Sequence, residues 1–189
     1  TPREDLSGEY RIKLFGRHQV LNAMLAISVA GELGLNRSEI QRGFDDCQPA
    51  KMRLQLWTVN GIRILDDSYN ANADSMIAAL ETLRDLPGNG RRVAVLGDMA
   101  ELGEQSVSAH ADVGRRAAEC GVQHLFAVGE MAGTMAKAAR DAGLDAVTEF
   151  REVQSVGDAL KTFLRPSDLV LLKASRAARF EQIGEILKN

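Results

Sequence analysis

The sequence predicts an α/β protein built on a mainly parallel β-sheet with helices on both faces. From Arg53 to the end of the chain, short strand-like apolar runs alternate with segments of helical length. Strands separated by helices of this length are typical of parallel sheets that are covered on both sides. Asn60-Gly61 lies between two strand-like runs and indicates a hairpin with a type I′ turn, so we expect one antiparallel strand pair at the start of the sheet.

The region before the sheet is predicted to be helical. The first helix runs roughly from His18 to Leu33 and has almost no polar face, so it should be buried. Too little chain surrounds it for that, which suggests that the helix belongs to a domain lying mostly outside this sequence. Because the first residue is Thr1 and not Met, we expect a chain cut from a longer protein or one that has lost its initiator Met.

A second, shorter helix follows Gly34, which ends the first one. Asn36 and Glu39 have the spacing of an N-cap and its N3 partner, and the helix should extend through Phe44. Gln48-Pro49-Ala50-Lys51 breaks the pattern. We therefore predict a boundary between a first domain segment, residues 1–48, and a second domain, residues 49–189.

The elements of the second domain follow from apolar periodicity and from Gly, Pro and Asn breaks. The expected strands and helices, in chain order within each class, are strands 54–59, 62–65, 93–96, 125–128, 147–150 and 169–172, and helices 75–86, 109–120, 130–142, 156–164 and 178–187.

Composition excludes several classes of protein. A formal net charge of −3 gives no electrostatic reason to expect binding to nucleic acid or to an anionic membrane. No apolar run approaches the roughly 18 residues that a membrane span needs, and no signal peptide is visible. Cys47 and Cys120 are too few for a disulfide framework and form no metal-binding pair, so we expect free thiols in a reducing cytoplasm.

Polar residues collect after three of the predicted strands, in segments 66–72, 97–103 and 173–176. Ligands of open α/β sheets bind beyond the carboxyl ends of the strands, so these loops are the candidate site. Each loop also has a simpler interpretation: turn and cap residues in the first, helix-start charges in the second, and solvated cations in the third. We interpret His110 and His124 as structural, because neither has a metal-ligand partner at a useful spacing.

The sequence contains neither a Gly-x-x-x-x-Gly-Lys-Ser/Thr phosphate loop nor a Gly-x-Gly-x-x-Gly fingerprint. If the protein uses ATP, its main phosphate-binding loop lies outside this sequence. We predict no metal site among the residues of the chain.

Five motifs in order resemble the Mur ligase family, the ATP-dependent ligases of bacterial cell-wall synthesis. Residues 16–23 resemble a Gly-x-His-Asn-x-x-Asn segment that closes the central domain of these enzymes, and Met52-Arg53-Leu54 looks like the Gly-Arg that opens their last domain. DDSYNAN at 66–72, LGDMAELG at 96–103 and KASR at 173–176 are similar to signatures of the type that adds D-alanyl-D-alanine. The resemblance spans nearly the whole chain.

The resemblance implies a place in a three-domain enzyme. Residues 1–48 would be a helical remnant of the central ATP-binding domain, and residues 49–189 the C-terminal Rossmann-like domain. The implied activity is the joining of D-alanyl-D-alanine to a UDP-N-acetylmuramoyl tripeptide through an acyl phosphate, with ATP and Mg²⁺ bound mostly by the central domain. The resemblance also implies a cytoplasmic monomer acting on small molecules, with roles in cell shape and division, and an isolated fragment that is inactive.

Site residues are carried over by position. Asn22 should contact the adenine, Arg53 the ATP phosphates as the catalytic cation, and Asp67 the ribose hydroxyls. The residues expected around the dipeptide are Asn70, Asn72, Lys173, Ser175 and Arg176. The chain departs from the family pattern by having Gln19 in place of Asn, Met52 in place of Gly and Ala174 in place of Gly.

Two alternatives remain open from the residues alone. One is another ligase of the same family with a different amino acid substrate. The other is a non-catalytic α/β binding domain such as a receiver-like module. Such a module has an acidic cluster and a lysine, which would be loosely mimicked here by Asp66, Asp67, Asp98 and Lys173.

Overall fold

The computed structural model describes residues 4–188 and divides into two compact units, Thr1–Ala50 and Lys51–Asn189. Thr1, on which the expectation about the start of the chain rests, lies outside the described residues. Each unit is described by itself.

The first unit contains a 3₁₀ turn at Glu4–Leu6 and two helices, α1 (His18–Glu32) and α2 (Arg37–Asp46). The predicted capping box is confirmed: the Asn36 side chain accepts hydrogen bonds from the backbone N–H groups of Ser38 and Glu39, and the Glu39 carboxylate accepts from the N–H of Asn36. Both ends of this reciprocal cap satisfy N–H groups that a helix start would leave free.

Helix α1 is far more exposed than its composition predicts. Of its residues only Ile27 and Gly31 are buried, because the core of this unit is small: Leu6 and Ile40 are its other buried side chains. Leu21 and Leu25 keep 64% and 66% of their surface exposed. This exposure agrees with the expectation that too little of the chain surrounds the helix to bury it. The exposed apolar residues of α1 and its end are Val20, Leu21, Met24, Leu25, Val29 and Leu33.

The second unit alternates strands and helices as predicted. Its strands are β1 (Gln55–Val59), β2 (Ile62–Asp66), β3 (Arg92–Gly97), β4 (His124–Val128), β5 (Val147–Phe150) and β6 (Leu169–Lys173). Its helices are α3 (Ala73–Asp85), α4 (Ser106–Glu119), α5 (Ala132–Asp141), α6 (Val153–Phe163) and α7 (Glu181–Lys188).

The strands form one six-stranded sheet in the order β1-β2-β6-β3-β4-β5. Strand β1 pairs antiparallel with β2, and all other neighbours are parallel, which confirms the predicted fold class. At the hairpin, Asn60 and Gly61 have φ of 49° and 77°, the two positive values that a type I′ turn requires. The last helix begins later than predicted, because Arg176–Ala178 forms a 3₁₀ turn and Arg179 is left-handed, with φ 53°.

The topology places the helices in two layers. From β3 to β5 the chain moves outward along the sheet, and from β5 it returns to β6 in the centre. Since parallel crossovers are right-handed, this reversal puts α6 on the face opposite α4 and α5. Helices α4 and α5 pack together, and α6 packs with α7. The reversal also makes a switch point between β3 and β6, where open sheets bind ligands.

None of the helices in residues 4–188 combines the length and the apolar character that a bilayer crossing would need.

Candidate functional site

The carboxyl ends of three adjacent strands bring the candidate loops together. Strand β6 lies between β2 and β3, so the loop 173–176 lies between the loops 66–72 and 97–103. The three polar segments singled out in the sequence therefore share one edge of the sheet, which we call the carboxyl edge.

Lys173 is at the centre of this edge and is buried. Its side chain is 2% exposed, and its ammonium donates to the Asp67 carboxylate, to the Asp67 carbonyl at 3.4 Å and to the Asn70 carbonyl at 3.1 Å. Burial lowers the pKa of Lys173, and the Asp67 carboxylate partly offsets that effect. An ammonium has three N–H groups, and here each has a protein acceptor.

Asp67 also holds the segment before β1. One carboxylate oxygen accepts from the backbone N–H of Leu54 at 3.0 Å, and the other is paired with Lys173. Met52 and Leu54 are left-handed, with φ of 58° and 46°. The backbone carbonyl of Met52 accepts from the N–H of Tyr69 at 3.0 Å. Glycine would adopt the conformation of Met52 at lower cost, because it has no Cβ.

Arg53 lies between these two left-handed residues and is exposed. Its guanidinium carbon is 4.2 Å from the centre of the Tyr69 ring, a cation–π geometry. The guanidinium N–H groups of Arg53 have no partner among the hydrogen bonds described, and the exposed side chain is open to an anion.

The remaining residues of the 173–176 loop differ in exposure. Ser175 is buried, and its hydroxyl accepts from the backbone N–H of Ala100 at 2.7 Å. Arg176 is 55% exposed and lies 3.1 Å from a Glu181 oxygen, in an ion pair without hydrogen-bond geometry. The loop thus presents one exposed cation and one hydroxyl that links it to the loop after β3.

Asn70 and Asn72 are both exposed. Asn72 is the N-cap of α3: its side chain accepts from the N–H of Ser75 at 2.8 Å. The capping interpretation of this loop is therefore correct for Asn72. The side-chain amide N–H groups of Asn70 and Asn72 have no contact among the hydrogen bonds described.

An open cleft of about 860 Å³ lies at the same edge, beyond β3, β4, β5 and β6. Asp98 lies on its wall, where its carboxylate accepts from the N–H groups of Glu130 at 2.8 Å and Met131 at 3.0 Å. A Cβ on Gly129, which has φ 111°, would collide with this carboxylate. Sequence reasoning missed the segment 129–131 and Arg151, although both directly follow strands β4 and β5 and could have been found by that position.

His110 is structural, as predicted. It is fully buried, its Nε2 accepts from the N–H of Met99 at 2.9 Å, and its Nδ1 donates to the Ser106 carbonyl at 2.6 Å. It fixes the loop after β3 against the start of α4. His124 packs against Phe126 and Phe163, and burial lowers its pKa, with Arg91 adding to the effect.

Asn22 belongs to the first unit, on α1. Its amide donates to the Gln19 side-chain oxygen at 2.9 Å. Both side chains line a small apolar pocket of about 170 Å³, together with Ala23, Ala26 and Phe44. The Asn22 side chain is thus one of the polar groups on the wall of a mostly apolar pocket.

Within residues 4–188, no group of three or more His, Cys, Asp and Glu side chains is arranged to hold a metal ion.

The comparisons with known proteins agree on one family. The sequence profile described as "Mur ligase, glutamate ligase domain" matches residues 52–176. A UDP-N-acetylmuramoyl-tripeptide–D-alanyl-D-alanine ligase of Bacillus subtilis (strain 168) is 32% identical over 180 residues, which are 94% of this chain and 39% of the relative. The chain thus spans about two fifths of the length of the curated relatives it matches.

Solved structures show the same similarity across both units. A MurF crystal structure from Acinetobacter baumannii has a TM-score of 0.83 and 31% identity, covering 95% of this chain and 40% of the other. A MurF ligase from Thermotoga maritima in complex with ADP has a TM-score of 0.78 and 25% identity, covering 93% and 39%.

Proposed function

The chain belongs to the Mur ligase family, and on that premise we propose that it is part of the ligase that joins D-alanyl-D-alanine to UDP-N-acetylmuramoyl-tripeptide. Residues 1–48 would end the ATP-binding domain, and residues 49–189 would form the C-terminal domain. The observation that carries the proposal is the similarity to a relative with this named activity over 94% of the chain. The motifs DDSYNAN and KASR favour this substrate over a single amino acid.

We assign the nucleotide contacts to Asn22, Arg53 and Asp67. The ADP complex of a similar ligase supports a nucleotide as the ligand. Arg53 offers an exposed guanidinium, whose planar N–H groups suit phosphate oxygens. Asp67 uses one contact on each oxygen, with Leu54 and Lys173. Since a carboxylate can accept about four hydrogen bonds, it retains capacity for two ribose hydroxyls.

We assign the dipeptide to the loops of the carboxyl edge. Arg176 is the exposed cation that would pair with the free carboxylate of D-alanyl-D-alanine, with the Ser175 hydroxyl beside it. The free amide groups of Asn70 and Asn72 would orient the amine end. All three N–H groups of Lys173 are engaged with Asp67 and Asn70, so we assign this residue no direct contact with the dipeptide.

The proposed reaction has two steps. A tripeptide carboxylate oxygen attacks the γ-phosphorus of ATP, which releases ADP and forms an acyl phosphate. The dipeptide amine then attacks the acyl carbon, the C–O bond to phosphate breaks, an amide bond forms, and the phosphate that leaves carries the proton lost by the amine. Negative charge develops on phosphoryl oxygens in the first step, and Arg53 would stabilise that charge. We propose that Mg²⁺ is bound mostly by the central ATP-binding domain.

The exposed apolar face of α1 is consistent with this assignment. We propose that the remainder of the ATP-binding domain covers Val20, Leu21, Met24 and Leu25 in the complete enzyme, because the relatives have more than twice the length of this chain. We also propose a monomeric cytoplasmic enzyme, since its soluble substrates and ATP are cytoplasmic, and a role in cell shape and division through cell-wall synthesis.

The test uses the full-length protein with ATP, Mg²⁺, the UDP-linked tripeptide and a panel of amine donors. We expect the mass of the pentapeptide product only with D-alanyl-D-alanine, and phosphate release that requires both peptide substrates. Product formation with a single amino acid and not with the dipeptide would favour another ligase of the family. Robust ATP turnover by residues 1–189 alone would contradict the three-domain assignment, because this chain has no phosphate loop.

A further inference from the structure

We infer that Lys173 is a positioning residue: through Asp67 it fixes the backbone on both sides of Arg53, and it does not touch the dipeptide. Its effect on catalysis rests on the proposed function, whereas its effect on the backbone does not.

Protein acceptors already occupy the N–H groups of the Lys173 ammonium. Lys173 closes β6 and is 2% exposed, with one carboxylate and two carbonyl oxygens around it. A buried ammonium is stable only when such acceptors replace water. A substrate carboxylate would have to displace one of them, and the side chain offers it almost no surface to approach.

The second step is that Asp67 joins Lys173 to the segment 52–54. The Asp67 carboxylate accepts the N–H of Leu54, and the N–H of Tyr69, two residues further on, donates to the carbonyl of Met52. These two bonds flank Arg53 on either side. The Tyr69 ring then supports the Arg53 guanidinium.

The third step is that this segment needs such support. Met52 and Leu54 are non-glycine residues with positive φ, a conformation that persists only where surrounding contacts hold it. Without the ammonium, the Asp67 carboxylate would turn toward water, because it is partly exposed and would have lost its buried counter-ion. The Leu54 N–H would lose its acceptor, and Arg53 its defined position.

Amide hydrogen exchange on the present chain tests the positioning directly. In Lys173→Met we expect the Leu54 and Tyr69 amides to exchange faster, relative to the amides of β3 and β4, by about tenfold or more, the effect of losing a hydrogen bond to a charged acceptor. Arg91→Met is the matched control, since it also removes the cation of an ion pair, and the Arg91–Asp168 pair lies at the amino end of β6. Arg91→Met should raise the exchange rate of the Leu54 amide no more than it raises the exchange rates of the β3 amides.

A second variant keeps the inference testable if Lys173→Met folds poorly. Asp67→Asn retains the side-chain oxygen that Leu54 can use but removes the charge that Lys173 needs. We expect faster exchange of the Leu54 and Tyr69 amides in Asp67→Asn, and little further increase when Lys173→Met is added to it. If the Leu54 amide exchanges no faster than the amides of the sheet in both Lys173→Met and Asp67→Asn, the inference is overturned.

Kinetics of the full-length enzyme separate positioning from direct contact. Positioning predicts that Lys173→Met lowers kcat/KM for ATP by about tenfold or more, as Arg53 is displaced, while the KM for D-alanyl-D-alanine stays near the wild-type value. Direct contact between Lys173 and the dipeptide predicts that Lys173→Met raises the KM for the dipeptide. It also predicts that the variant loses no activity relative to wild type with D-alanyl-D-alaninamide, which lacks the carboxylate. That pair of results would overturn the inference. If the full-length protein has no ligase activity at all, the proposed function fails and the exchange result still stands.

Discussion

Strand β6 has a buried ion pair at each end, and the two pairs have different surroundings. Asp168 immediately precedes the strand and is paired with Arg91 at 2.6 Å, with side chains 3% and 30% exposed. Lys173 ends the strand and is paired with Asp67, with side chains 2% and 15% exposed. Each pair joins a basic and an acidic residue, and in each pair one side chain is almost fully buried. The role of each pair must therefore be inferred from the residues around it.

The pair at the amino end contacts only residues at and just after the end of α6. Arg91 donates to both oxygens of Asp168 and to the Phe163 carbonyl, and it lies over the Phe163 ring. Asp168 also accepts from the N–H of Arg165. These contacts tie the starts of β3 and β6 to the end of α6. Nothing in them suggests binding of a ligand.

The pair at the carboxyl end contacts loops. Its neighbours are the segment 52–54, the exposed Arg53 and Asn70, and the KASR loop. The comparison teaches that a buried ion pair by itself marks neither stability nor function. What distinguishes the second pair is that it holds strained backbone and exposed polar groups at the edge where parallel sheets bind ligands.

The largest expected effect is at Arg53. In the full-length enzyme, Arg53→Ala should lower kcat by about 10²–10³, as for the loss of one charge-stabilising contact in the transition state, with a small effect on the KM for the dipeptide. Arg53→Lys should restore only part of the rate, because an ammonium lacks the planar guanidinium geometry. Steady-state kinetics of both variants is the measurement. A wild-type kcat in Arg53→Ala would reduce the residue to a cation of the linker.

The second effect is on stability at the amino end. Arg91→Met should lower the free energy of unfolding by about 3 kcal/mol, because it leaves the Asp168 carboxylate buried and unpaired. Urea unfolding of residues 1–189 measures it. Unchanged stability would mean that the Arg165 N–H suffices to hold Asp168.

The pH dependence of this effect has a definite sign. Burial raises the pKa of Asp168, but the hydrogen bonds from Arg91 and from the Arg165 N–H outweigh burial and leave the pKa below its ordinary value. A depressed pKa contributes stability above the unfolded pKa, about 3.9, and loses it as pH falls through the folded pKa. The stability difference between wild type and Arg91→Met should therefore be largest near neutral pH and shrink below about pH 4. A difference that grows on acidification would contradict this assignment.

The third effect concerns the exposed cation of the carboxyl end. Arg176→Ala should raise the KM for D-alanyl-D-alanine by roughly 10–100-fold, the range for one hydrogen bond to a charged group, and leave the KM for ATP nearly unchanged. D-alanyl-D-alaninamide should be a poor substrate of the wild type and lose little more in the variant. If the wild type uses the amide as well as the acid, Arg176 does not bind the carboxylate.

The smallest effect separates the two roles of Asn72. Asn72→Ala should cost about 1 kcal/mol of stability through loss of the α3 cap, and Asn72→Ser should restore most of it because a hydroxyl also caps. If Asn72 orients the dipeptide amine, Asn72→Ser should still raise the KM for the dipeptide. A KM that recovers together with stability would leave Asn72 as a cap alone. Thermal unfolding and dipeptide titrations give the two readouts.

Much of the fold could be predicted from the sequence, because local signals carried it. Asn60-Gly61 specified the hairpin, Asn36 with Glu39 specified a cap, and alternating strands and helices specified a parallel sheet. The start of α7 could not be predicted, since the left-handed Arg179 interrupts a segment whose side chains read as continuous helix. The exposure of α1 followed from the short length of chain around it and not from the apolar pattern of the helix itself.

The edge of the candidate site was predictable, but the partners of its side chains were not. Position after a strand placed Asp67 and Lys173 at one edge. That Lys173 is buried and saturated depends on a contact across 106 positions in the chain, which no local pattern encodes. The same holds for Asp98, whose carboxylate holds the start of the β4–α5 connection 32 positions away.

We infer that the carboxyl end of β6 positions catalytic groups, whereas its amino end serves stability. The most direct test is kcat/KM for ATP of full-length Lys173→Met and Arg91→Met, measured at one temperature at which both are folded. Each variant removes the cation of an ion pair at one end of β6. We expect a loss of about tenfold or more in Lys173→Met, since Arg53 is displaced, and a wild-type value in Arg91→Met. Equal losses in the two variants, or a loss confined to Arg91→Met, would contradict it.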